Sequence, residues 1–427
     1  MLDTSDRIGR FGAAVARLFV GTYTEKPAAS LPGGASSTGS AGVYSLSLDL
    51  ESGFVSADHT VMSNANPSFL LKRGTTLVAA HEVAGKAKAA VYAAFDDGSI
   101  AHISTIADKS GAGTCHVAVH PSGRWVYGSN YESGSLSCWP LRLDGSLGPV
   151  RVAVRHEGSG PNKCRQKGPH VHSACFVGSV DEAGRFIPMG GAGEVAAGTG
   201  SAATPSLAAE ATATPLLAVA DLGCDTVTLY ACPAGEGLRA EPVLTVRTPP
   251  GFGPRMMALR PSAPWQLAVV GELANAVIIY DMRPAFEGGA FLPSEDGRGP
   301  AAGSPADKDP FREISRFDLP SCCGIRTLAA HLEFSPCGKW LYVSVRGKNV
   351  IAVYELDADA RVVAQARYSC GGVSPRHFSL SPCGRYLAVA NQGSDEVVVF
   401  ATPKPADAGM REVARIPIPA PACVIWG

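Results

Sequence analysis

The chain repeats itself. The segment 376–400, RHFSLSPCGRYLAVANQGSDEVVVF, follows the pattern of 329–354, AAHLEFSPCGKWLYVSVRGKNVIAVY. A third copy lies at 115–140, CHVAVHPSGRWVYGSNYESGSLSCWP, and a worn one at 255–280, RMMALRPSAPWQLAVVGELANAVIIY. The units share an alternating strand, a Pro-x-Gly turn (worn to Pro-Ser-Ala in the copy at 255–280), a second apolar strand, a polar corner and a third strand. A period of about 40–50 residues with several short strands per unit is the signature of a β-propeller.

Seven units can be laid out, so the expected fold is all-β: a seven-bladed propeller of four-stranded antiparallel blades, with 1–427 forming a single domain. The first unit starts at ARLFVGTYT, the second at NPSFLLKRG, and the fourth starts at HVHSACF and resumes at LLAVADLGC. Stretches rich in Gly, Ala, Ser, Thr or Pro at about 25–42, 178–215 and 284–311 have too little apolar bulk to order themselves, and are expected as flexible insertions at blade turns. The C-terminal ACVIWG has no unit of its own, while the first unit is short of one strand. Cys423–Trp426 is therefore expected to pair into the first blade and close the ring with strands from both termini.

A formal net charge of -1 provides no global field for nucleic acid or an anionic membrane, so attraction for an anion must be local. The twelve cysteines form no CxxC pair, and several fall at repeat positions, as with Cys337 and Cys383, so reduced thiols are expected. No run of 18 apolar residues and no signal-type leader appears, which leads to the expectation of a cytoplasmic protein.

The densest polar stretch is GPNKCRQKGPHVHSACF at 160–176. His170 and His172 are two apart on an incoming strand and are expected on one face, with Arg165 and Lys167 arriving from the preceding loop. A hydrogen-bonded turn with solvated charges would explain one histidine; equivalent polar residues in other units argue for more. At the starts of the inner strands stand His116, His172, Arg255, Glu333 with His331, and Arg376 beside His377. At the end of the next strand stand Glu82, Asn130, Asp221, Glu272, Arg346 and Asn391. Such corners gather at one mouth of a propeller's channel, where arginine forks and a carboxylate can hold an anion and polarise it.

The ordered set GPNKCRQKGPHVHS, GFGPRMM, VVGELANAV, YVSVRGKNVIAVY and SPRHFSLSPCGRYLAVANQGSDEVVVF resembles the motifs of the seven-bladed propeller lactonases. That family includes propeller-type 6-phosphogluconolactonases and the fungal carboxy-cis,cis-muconate cyclase. The resemblance runs from about Leu18 to the end, outside the insertions. It implies His172 (with His170), Arg255, Glu272 and Arg346 as the active-site residues, His172, Arg255, Glu272 and Arg346 being catalytic. By their positions at the mouth, His116, Arg165, Glu333, Arg376 and His377 are expected with His170 around the substrate. Two departures stand out: the family's SNRG is SVRG here, and its Glu-Ile-His is His331-Leu332-Glu333.

The resemblance implies hydrolysis of a small anionic sugar lactone, 6-phosphogluconolactone first among them, with no metal and no cofactor. Arg255 and Arg346 would hold the anion, and Glu272 or His172 would act as general base on water. Two alternatives remain at this point: a muconate-type lactonising enzyme, and a non-catalytic propeller that scaffolds or senses a ligand. A channel cation site built from Asp221, Glu272, Asn130 and Asn391 is disfavoured because Arg and His outnumber carboxylates. No nucleic acid or membrane partner is expected, and monomer and dimer are equally open.

Overall fold

A computed structural model describes residues 15–25, 39–62, 65–181, 185–189, 213–286, 310–402 and 409–427. The chain forms seven antiparallel sheets. Each inner strand packs against those of both neighbouring blades, so the seven close into a ring. Blade 1 takes strands from both chain ends: Pro421–Trp426 innermost, then Val15–Thr22, Gly42–Asp49 and Val55–Met62. Trp426, Ile425, Val424 and Cys423 stand opposite Leu18, Phe19, Val20 and Gly21, the closure expected from the orphaned ACVIWG. The innermost strands of blades 2 to 7 are Pro67–Arg73, Thr114–Val119, Val171–Val180, Pro254–Arg260, Leu328–Phe334 and Pro375–Leu380.

The repeated turn is built by its own letters. In Ser335-Pro-Cys-Gly338, the Ser335 N–H donates to Trp340 O, the Gly338 N–H returns to Ser335 O, and the Ser335 hydroxyl accepts from Trp340 N–H. Ser381-Pro-Cys-Gly384 repeats all three bonds with Tyr386. Gly338 and Gly384 have φ of 68° and 67°, a region glycine enters without penalty. The worn copy has no glycine there, and Arg260 pairs directly with Ala263 across a shorter turn.

Apolar faces meet between blades. Leu18, Val20 and Leu46 of blade 1 pack on Ala388, Val397 and Val399 of blade 7, and Tyr127 and Leu136 of blade 3 on Phe176 and Leu217 of blade 4. Each fully buried large side chain contributes about 1.5–3 kcal/mol, so the ring is held by blade-to-blade burial. All twelve cysteines are free thiols, and no described helix is long and apolar enough to cross a membrane.

The described flanks of the expected insertions are strand or turn. Val171–Val180 remains strand through residue 180, Phe186–Pro188 adds a fifth strand to blade 4, and strand resumes at Thr214. Arg283–Phe286 is a short 3-10 turn, and Phe311 is fully buried. Phe186 stacks on Phe286 with ring centroids 4.3 Å apart, so the bases of the two stretches pack together. In the first stretch, strand begins at Gly42. Residues 26–38, 190–212 and 287–309 lie outside the described residues.

Candidate active site

Two backbone devices repeat round the ring and together build one mouth. At the first, the residue just past the second strand of a blade donates its N–H to a carbonyl at the entry of the innermost strand. Tyr23 bonds Ala420, Glu82 bonds Asn66, Tyr131 bonds Gly113, Leu222 bonds His170, Glu272 bonds Gly253 and Gln392 bonds Ser374. Five of those six entry residues have positive φ (Ala420, Asn66, Gly113, Gly253 and Ser374), which makes the corner tight.

The second device is a β-bulge near the start of every innermost strand. An extra residue in one strand bends it and re-aims the side chain. The residues so displaced are Ser68, Cys115, His172, Arg255 and Arg376 in blades 2, 3, 4, 5 and 7, and Ala422 in blade 1. Blade 6 shifts one step later, at Ala330 and His331. The repeating backbone thus carries small side chains in blades 1 to 3 and large basic ones from blade 4 round to blade 7.

Glu272 is the hub. Its Oε2 accepts from Arg255 Nε at 2.7 Å and from Arg346 Nη2 at 2.9 Å, and its Oε1 accepts from Arg165 Nη2 at 2.7 Å. The two inner arginines are tied down elsewhere: Arg255 Nη1 donates to Ala330 O and Arg346 Nη2 to Ala329 O. Arg165 also donates to the Tyr131 hydroxyl at 3.0 Å. Burial alone would push the Glu272 carboxyl up, but Arg346, Arg255 and Arg165 hold it well below the usual carboxylate range. Burial brings Arg346 down to about 10, with Glu272 opposing, so it stays cationic at neutral pH.

His172 lies beside this hub and edge-on to Tyr131, with ring centroids 5.6 Å apart. Burial, reinforced by Arg255, pushes its imidazole well below its ordinary value, so the ring is neutral. Its Nδ1 and Arg346 Nε are both buried without a hydrogen-bond partner among the described residues. Arg376 joins from blade 7: its guanidinium lies over the Tyr23 ring at 5.1 Å and 3.6 Å from Glu82 Oε2.

Beyond the hub lies a layer of rings. Phe69 meets His116 at 4.2 Å and His377 at 5.7 Å, and His331 stacks on His377 at 3.9 Å. Burial pushes His116 and His377 down to about 3, so they too are uncharged. Glu333 is placed apart from the hub: its Oε2 accepts from Leu380 N–H at 3.0 Å, and burial pushes its carboxyl up to about 8.

The structure joins Arg165, Arg255, Glu272 and Arg346 by hydrogen bonds and sets His172 and Arg376 beside them. Two expectations need correction. His170 does not share a strand face with His172. It precedes the strand, stacks on Tyr131 at 4.5 Å and points a ring nitrogen at Tyr131 O, while the bulge at His172 breaks the alternation. The strand-end alignment was one residue short in four blades, at Asn130, Asp221, Arg346 and Asn391, and of these Arg346 alone reaches the hub.

Asn130, Asp221 and Asn391 precede the corner and bond within their own blades or to the connection from the blade before. Asn130 bonds Thr114, Ser135 and Ser137. Asp221 accepts from the backbone of His170, Gly223 and Cys224 and faces His156, and Asn391 donates to Cys370 O. The true corner column reads Tyr23, Glu82, Tyr131, Leu222, Glu272, Gly347 and Gln392. Aligning GTY, AHE, SNY, ADL, VGE, VRG and ANQ would have shown it, and with it the two tyrosines that sequence reasoning missed.

Residues 17–187 and 203–426 match the family described as "Lactonase, 7-bladed beta-propeller". The chain belongs to that family and is a lactonase-family enzyme. It is 26% identical over 413 residues to 6-phosphogluconolactonase of Bacillus subtilis (strain 168), covering 95% of this chain and 97% of that one. The fold is shared with a periplasmic gluconolactonase of Pseudomonas aeruginosa, with a TM-score of 0.71 and 24% identity over 97% of this chain and 99% of the other. It is shared also with a protein of Lactobacillus plantarum, with a TM-score of 0.72 and 22% identity over the same shares.

Proposed function

We propose that this lactonase opens a small sugar lactone that carries an anionic group, 6-phosphogluconolactone being the substrate that fits best. One observation carries the reading: among the described residues, four guanidiniums (Arg165, Arg255, Arg346 and Arg376) pair with two carboxylates (Glu272 and Glu82) at the mouth, while His116, His172 and His377 are neutral. Buried positive charge in excess of its partners calls for an anion. Arg346 Nε, buried and unpartnered, is one donor waiting for it.

In this reading Glu272 is not the base. Both its oxygens are engaged and its proton affinity is low, so its part is to fix Arg165, Arg255 and Arg346 in place. The neutral His172 takes the proton from water as the water oxygen attacks the lactone carbonyl carbon. The arginines stabilise the oxyanion as it forms. The carbonyl then re-forms, the bond to the ring oxygen breaks, and the His172 imidazolium returns the proton to that oxygen, giving the open hydroxy acid. A phosphate bound nearby would offset the Arg255 charge and raise the affinity of His172 for that proton. The free thiols fit a cytoplasmic setting.

The test is hydrolysis of freshly made 6-phosphogluconolactone, corrected for spontaneous opening. Wild type should exceed background, and His172→Asn should lose roughly 10²–10⁴-fold in kcat. A wild-type rate no higher than background would overturn the substrate; an undiminished His172→Asn rate would overturn the base.

A further inference from the structure

Glu82 occupies in blade 2 the corner that Glu272 occupies in blade 5, yet its surroundings are of another kind. Its Oε2 accepts from the Tyr23 hydroxyl at 2.5 Å and from Ser68 Oγ at 3.3 Å, with Arg376 Nη2 at 3.6 Å. Its side chain is 24% exposed against 2% for Glu272. One guanidinium approaches it without a close bond, and Oε1 faces no donor among the described residues.

We infer that Glu82, oriented by Tyr23 and Ser68, is a specificity-determining residue that accepts hydrogen bonds from the hydroxyl groups of a polyhydroxylated substrate. The inference rests on the proposed anionic lactone reading and adds the substrate's other end. Arg376 is the link between the two ends, since it experiences the charges of both Glu82 and Glu272. The mouth is therefore electrically two-sided. At blades 4 to 6, donors exceed acceptors and a phosphate or carboxylate is drawn in. At blades 1 and 2, an acceptor carboxylate repels an anion and suits a neutral group rich in O–H donors. A phosphorylated sugar lactone presents those two chemistries on opposite sides, the phosphate and carbonyl flanking the ring oxygen and the hydroxyls across the ring. A dicarboxylate lactone without ring hydroxyls does not, and would place a charge against Glu82. A site built to bond a hydroxyl rejects the analogue lacking it, because the buried partner is left unmade.

The experiment compares binding of 6-phosphogluconate with 6-phosphohexanoate, which keeps both anionic ends and lacks the hydroxyls. Titration calorimetry on wild type and Glu82→Gln would be paired with thermal melting. Wild type should prefer the hydroxylated acid. Glu82→Gln, which can still accept from Tyr23, should weaken 6-phosphogluconate roughly ten- to a hundredfold and leave 6-phosphohexanoate within about twofold. Tyr23→Phe should weaken the preference less, because Glu82 keeps its charge. Equal weakening of both ligands in Glu82→Gln would make Glu82 a structural charge and overturn the inference, as would a wild type with no preference or a preference untouched by the substitution. A wild type that prefers 6-phosphogluconate but opens no lactone would sink the proposed reaction while Glu82 keeps its role.

Discussion

Glu272 and Glu82 hold the same place in two blades, each one residue past the second strand and each bonded through its N–H to the entry of the innermost strand. Everything else differs. Glu272 is fully enclosed and shared among three guanidiniums, so it is a strut for cations. Glu82 leans on a phenol and a serine, with one arginine at arm's length, so it keeps acceptor capacity for something else. Identical backbone corners take opposite roles because the bulge residues differ: Arg255 stands in blade 5 where Ser68 stands in blade 2.

Removing the strut gives the sharpest break. Glu272→Gln leaves three guanidiniums facing one another, two of them buried, and should destabilise the protein by about 3–5 kcal/mol. Urea unfolding measures this, and a loss below about 1 kcal/mol would show that the hub is not the buried charge cluster described. Next comes one of the cations it holds. Arg346→Lys keeps a charge but loses the planar fork and the free Nε, and kcat should fall roughly 10²–10³-fold with folding retained. Activity within a few fold of wild type would remove Arg346 from the oxyanion site.

Acid and alkali should separate the hub from the rest of the channel. His116, His172 and His377 have folded-state values depressed below 6.5. The unfolded chain therefore takes protons that the folded chain refuses, and stability should drop as pH falls below about 6.5. Glu272, also depressed, adds a loss as pH falls below its unfolded value of 4.5. Glu333 acts in the other direction. Raised to about 8 from 4.5, it contributes stability that is full below pH 4.5 and is lost as pH rises towards 8. Glu333→Gln should therefore melt higher than wild type at pH 8 to 9, with little difference at pH 4.5; a wild-type melting curve flat across that window would refute this. The smallest effect falls on the other carboxylate: Glu82→Gln should change stability by less than about 1 kcal/mol, because the partly exposed Arg376 pair is long and screened. A loss as large as that of Glu272→Gln would erase the contrast between the two corners.

Much of this was legible in the chain. The SPCG copies specified the turns down to the serine bonds, and the unpaired ACVIWG specified the closure. Arg165, Arg255, Glu272 and Arg346 were singled out by their places in the units and by family resemblance, and they are hydrogen-bonded together. The errors share one cause. Side chains alternate across a strand, so a slip of one residue moves a side chain to the other face. Counting Asn130, Asp221 and Asn391 as corners, and expecting His170 beside His172, were both slips of this size. The corner slips could have been read from the aligned strand ends, but the bulge at His172 leaves only a faint trace in sequence, since the extra residue shows only when its partner strand is known.

The sequence by itself determined the blades, their number and the closing strand, because turn chemistry and apolar alternation are local properties repeated seven times. It also determined which residue types were available at the mouth. Only the tertiary structure decided which of them meet. Arg165, Arg255 and Arg346 come from a loop and two different blades, and Glu272 is a strut rather than a base because those three converge on it. Glu82 escaped that fate because its nearest guanidinium stops 3.6 Å away. Charge pairing across blades depends on distances of a few ångström, and those are fixed only when the ring closes.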